Sequence, residues 1–81
     1  MNEKERALLN FSRRTKTILD KAKQGKSADF AGIKQDLAGL KQDFNRELGS
    51  LETLDPDVTK FGAVLREAES LIIEADPTTY L

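Results

Sequence analysis

Six cations crowd the first third of the chain: Arg13, Arg14, Lys16, Lys21, Lys23 and Lys26. A cluster of one sign can hold phosphate groups, which is how nucleic-acid binders gain much of their affinity. In the second half the carboxylates Glu67, Glu69 and Glu74 could in principle hold a hard cation. No loop, however, presents the alternating oxygen ligands of a calcium site. The chain has no cysteine and no histidine, which removes the thiolate nucleophile, the disulfide, the commonest general base and the commonest transition-metal ligand. No Gly-rich phosphate cradle stands in for them. The expectation is a non-enzymatic protein with no catalytic residues, no cofactor and no metal site.

The charges need a scaffold, and the clearest one is a doubled seven-residue unit. Residues 30–36 read FAGIKQD, residues 37–43 read LAGLKQD, and Phe44 follows. Phe30, Ile33, Leu37, Leu40 and Phe44 recur at alternating steps of three and four, the signature of a narrow apolar seam on an α-helix. With Phe30 at heptad position a, Lys34 and Lys41 fall at e, and Asp36 and Asp43 fall at g. These cations and anions flank the seam on opposite sides, so they are placed to meet charges on other helices rather than each other.

The preceding stretch, about residues 2–24, carries Leu8, Phe11, Thr15, Ile18 and Ala22 at the same spacing, with Leu9 and Leu19 widening the stripe. Gly25 suits a position just past its end, and Ser27 or Asp29 suits the cap of the next helix, about residues 28–48. So short a connection folds the two helices into an antiparallel hairpin. In an antiparallel seam, facing residues have a constant number sum. A sum of 55 sets Phe11 against Phe44, Thr15 against Leu40, Ile18 against Leu37 and Ala22 against Ile33. The same register brings Arg14 to Asp43 and Lys21 to Asp36. Volume and charge thus select one alignment, although exposed pairs contribute only about 0 to 1 kcal/mol each.

Glu47 interrupts the seam, with Leu48 beside it as a substitute, and Gly49 is the expected terminator. Leu51 and Leu54 are expected to fold back over the open end of the hairpin. Asp55-Pro56 then marks a new start, an acidic N-cap followed by proline where its missing N–H is not needed. A third amphipathic helix follows over 56–75, with Val58, Phe61, Leu65, Ala68, Ile72 and Ala75 on its stripe and Val64 and Leu71 in a neighbouring row. The fold class expected is all-α: one domain over 1–81, an antiparallel helical hairpin plus a third helix, packed as a three-helix bundle in coiled-coil fashion. At this length a single core yields only a few kcal/mol of net stability.

Charge is close to balanced overall, but ten bases and five acids precede residue 42, while three bases and nine acids follow. The acids of the third helix are therefore expected to complement the basic first helix. That compensation, the shortage of aromatics and the lack of a nucleic-acid motif make nucleic acid the weaker alternative, carried by Arg13, Arg14, Lys16, Lys21 and Lys23. Partner binding is the leading reading. Leu71, Ile72 and Ile73 make a stripe wider than one hairpin needs, so Leu71 and Ile73, with Leu9 and Leu19, are candidates for contact with another protein or a second copy. Gly32 and Gly39, away from the seam and each costly in a helix, are candidates for close backbone approach. The final Thr79-Tyr80-Leu81 also matches the short carboxy-terminal ligands of PDZ domains, a pattern that arises readily by chance.

A helix, a tight turn around Gly25 and a second, heptad-patterned helix are similar to the small helical-hairpin co-chaperones of bacterial type III secretion. The resemblance covers the hairpin only, and the helix after Asp55-Pro56 lies outside it. The function expected is that of an adaptor, chaperone subunit or inhibitor acting through apolar helix faces. With no apolar leader at MNEKER and no run of roughly 18 apolar residues, a cytoplasmic setting without membrane is expected.

Overall fold

A computed structural model describes residues 2–25 and 28–76, and shows three helices: α1 (Glu3–Ala22), α2 (Phe30–Leu48) and α3 (Pro56–Ala75). A short 3-10 turn, Gly49–Leu51, follows α2. Lys26, a cap by Ser27, and the carboxy-terminal Thr79-Tyr80-Leu81 lie outside the described residues. Contacts among all three helices make the chain a small all-α three-helix bundle.

Each helix begins where a short polar side chain can accept from a backbone N–H left over in the first turn. Asn2 accepts from the Glu5 N–H at 2.8 Å, Asp29 from the Gly32 N–H at 3.1 Å, and Asp55 from the Asp57 N–H at 2.9 Å. Such caps contribute about 1 kcal/mol each. Gly25 closes α1 with φ at +65°, a left-handed conformation that costs glycine little and other residues more. The Ala28 N–H then donates to the Gly25 carbonyl at 3.1 Å and turns the chain back.

The core is built in layers whose members were set by the heptad spacing. Phe11, Phe44 and Phe61, one from each helix, meet with ring centroids 5.4 to 6.3 Å apart. In the same alignment Thr15 falls level with Leu40 and Leu65, Ile18 with Leu37 and Ala68, and Ala22 with Ile33 and Ile72, and all of them are buried. Each of the last two layers combines alanine with two larger aliphatic side chains, which fills space without strain. Thr15 satisfies its hydroxyl inside the helix, donating to the Phe11 carbonyl at 2.8 Å. Leu48 is buried and Glu47 exposed, as their substitution at the seam requires.

Ion pairs fix the sides on which the helices meet. Arg14 reaches Asp43 at 2.9 Å and Lys21 reaches Asp36 at 3.6 Å, so the g flank of α2 faces α1. On the e flank, Lys34 pairs with Asp76 and Lys41 with Glu69, so that flank faces α3. Two of α3's acids therefore answer the lysines of α2 rather than the basic α1. Along the other side, α1 meets α3 through Lys4, whose ammonium lies 2.8 Å from Asp55 and 3.5 Å from Asp57. Helix α3 is thus antiparallel to α2 and parallel to α1. Two expectations fail at the periphery: Leu54 is exposed rather than folded back, and Ala75 is exposed rather than on the core stripe. Leu51 alone reaches the core from that linker.

The Lys4 hydrogen bond holds the Asp55 carboxyl below its ordinary value of 3.8, and the same bond raises Lys4 above 10.5. The depressed acid stabilises the fold fully above pH 3.8 and loses that contribution as pH falls through its folded-state value. The raised amine does so below pH 10.5 and loses it as pH climbs through its own. Asp55→Asn keeps an equally good cap but removes the charge. Its melting temperature should fall below that of the wild type at neutral pH, and the difference should narrow as pH falls through the folded-state value of Asp55 and the carboxyl takes up its proton. An undiminished difference in acid would show that the cap, not the charge, had been damaged.

Candidate functional site

Helical periodicity turns the ion pairs into a map of the surface. Arg14 and Lys21, seven apart on α1, face α2, so Leu8 and Leu19 fall on the opposite flank of the buried stripe. Both are partly buried against the core. On α3, Glu69 and Asp76 mark the α2 side, and the row Val64–Leu71 falls on the other. These two flanks adjoin, and together they line the face between the parallel helices α1 and α3. Val64 is 46% exposed and Leu71 49% exposed. Leu9, 40% exposed, stands at the outer edge of the same face.

The charges differ in the same way from one face to the next. The α1/α2 and α2/α3 seams each carry two ion pairs one heptad apart, while α1 and α3 are joined only through Lys4 at one end among the described residues. Around the α1/α3 face, Glu5 and Lys16 from α1 and Lys60 and Glu67 from α3 form no ion pair among the described residues. An apolar strip between unpaired charges of both signs has the composition of a contact surface. No family model, curated protein or solved structure matches the chain. The face itself must carry the functional reading.

By helical periodicity Leu19 and Leu71 fall on this face and Leu9 at its outer edge, but Ile73 does not. Two residues beyond Leu71 is about 200° around a helix, and Ile73 lies in the groove between α2 and α3, beside Lys34, Leu37, Ala38, Lys41 and Ile72. The wide stripe on α3 is thus two flanks of a buried helix. Gly32 sits in the first turn of α2, where a Cβ would lie 2.6 Å from the capping Asp29 carboxylate. Its small size serves the cap. Gly39 has open space where a side chain would be, and lines the groove between α1 and α2 with Arg13, Arg14 and Lys21. Gly39→Ala should therefore stabilise the bundle by up to about 1 kcal/mol, read as a higher urea midpoint. A loss of stability would show that the helix needs a bare backbone there.

The basic cluster is divided. Arg14 is tied to Asp43 and lies 5.8 Å from the Phe11 ring centre, Lys21 to Asp36, and Lys23 is 3.8 Å from Asp20. Arg13 and Lys16 remain without an ion pair among the described residues. No group of three or more acids there could hold a metal ion, and no helix among those residues is long and apolar enough to cross a membrane. Val64, Lys60, Glu67 and Glu5 were absent from the sequence-derived site. The seven-residue step from Val64 to Leu71 was the available signal.

Proposed function

We propose that this chain is a small non-enzymatic interaction module that binds another protein, or its own kind, through the α1/α3 face. The observation that carries the reading is the apolar strip of Leu8, Leu9, Leu19, Val64 and Leu71, bordered by Glu5, Lys16, Lys60 and Glu67, which form no ion pair among the described residues. Adaptor, chaperone subunit and inhibitor are the roles that such a surface suits. Cytoplasmic residence accords with the cysteine-free composition.

The decisive comparison is affinity purification from native cells with the wild type and with Val64→Asp/Leu71→Asp. Both positions are half exposed, so the doubly substituted chain should keep its helical circular dichroism and lose the proteins recovered with the wild type. Recovery of the same proteins by both would overturn the reading. Salt-sensitive retention of DNA or RNA, lost on Arg13→Glu/Arg14→Glu, would instead assign function to the basic side of α1.

A further inference from the structure

We infer that a second copy of this chain covers the α1/α3 face, in a two-fold dimer whose axis runs along the bundle. The inference rests on the function proposed above and names its partner. It begins with the mixed signs of the charges without an ion pair around the face, the acids Glu5, Glu67 and Glu74 with the bases Lys16 and Lys60, which a strongly acidic or basic partner could not complement but an identical face can. Helix α1 carries an excess of bases and α3 an excess of acids. A two-fold axis along the bundle lays α1 over the partner's α3, base over acid. An axis across the bundle would lay α1 over α1 instead.

The register then follows from the fold. Because α1 and α3 run parallel, with Phe11 beside Phe61 and Lys4 beside Asp55, residues about 50 apart in number lie at one height. An axis along the helices preserves height. Lys16 therefore meets the partner's Glu67, and Leu19 meets the partner's Leu71, each contact occurring twice. Two parallel helices of this length, about 30 Å, on a bundle 21 by 16 Å across offer about 600 Å² per copy, at the low end for a specific interface. That size implies a dimer in exchange with monomer.

The test places a photo-crosslinking amino acid at Val64 in the full chain, expressed in its native cells, and pairs it with sedimentation of the purified protein. An adduct of twice the 9.0 kDa chain mass, with a dimer that tightens with concentration, is expected. Lys16→Glu should weaken dimerisation about tenfold or more, and Lys16→Glu/Glu67→Lys should restore it. Failure of the double exchange to restore it would overturn the arrangement. Adducts only of other masses, with a monomer at every concentration, would overturn the second copy and leave the proposed function standing. No adduct at all would overturn both.

Discussion

Phe11→Ala is expected to leave the chain largely unfolded at room temperature. Phe11 is almost wholly buried and its ring is in contact range of Phe44 and Phe61 from the other two helices. Removing a buried phenylalanine costs about 3 to 5 kcal/mol, through lost transfer energy and the cavity left behind. A single core of this size supplies about 3 to 5 kcal/mol of net stability in all. Helical signal and urea midpoint should therefore collapse together. Phe11→Leu, which keeps much of the volume, should cost far less and retain a cooperative transition. Equal damage from the two would mean that the ring is needed for its shape rather than its bulk.

Lys34→Glu and Lys41→Glu should differ sharply although the two lysines occupy the same position in successive heptads. Both side chains are 48% exposed, so the contrast comes from their partners. The Glu69 carboxylate is 38% exposed, and water can take over from Lys41. That change should cost about 1 kcal/mol or less. The Asp76 side chain is only 3% exposed and sits at the C-terminal end of α3, where the helix dipole already disfavours an anion. A second carboxylate beside it should cost about 2 to 3 kcal/mol, below the roughly 3 to 5 kcal/mol for breaking a fully buried pair because Lys34 is half open to water. Chemical denaturation of the two variants side by side measures the difference. Equal midpoints would show that burial of Asp76 does not govern the pair.

The hairpin was legible because two independent constraints, volume and charge, agreed on one alignment: Phe11 against Phe44, and Arg14 and Lys21 against Asp43 and Asp36. The start of α3 was legible because Asp55-Pro56 has few other uses. Less visible was the side of the hairpin on which α3 would lie. Periodicity fixes how a helix is turned about its own axis, but not where a third helix comes to rest. The lysines of α2 held that information, since Lys34 and Lys41 on the e flank match the acids Glu69 and Asp76. Reading the acids of α3 against α1 as a whole lost it. The same gap separated Ile73 from Leu71, which are near in sequence and on opposite sides of α3. Leu54 was misjudged because a leucine in a short linker has no periodic neighbours to show its direction.

The doubled unit in α2 also leaves the hairpin with a near-copy of its own solution. Slide α2 by one repeat, and Asp36 would stand where Asp43 stands against Arg14, while Asp29 would take the place of Asp36 against Lys21. Within the hairpin the charges would scarcely register the shift, and only at α3, where Lys34 would leave the buried Asp76, would it be felt. What would also change is that Leu37 would stand opposite Phe11, the three-ring layer would be dismantled, and the start of α2 would be drawn about 10 Å down beside the last turn of α1, out of the tight turn at Gly25. Fidelity of alignment thus falls to one aromatic layer, one buried carboxylate and one tight corner. Lengthening that corner with a flexible insert should release the mispaired form.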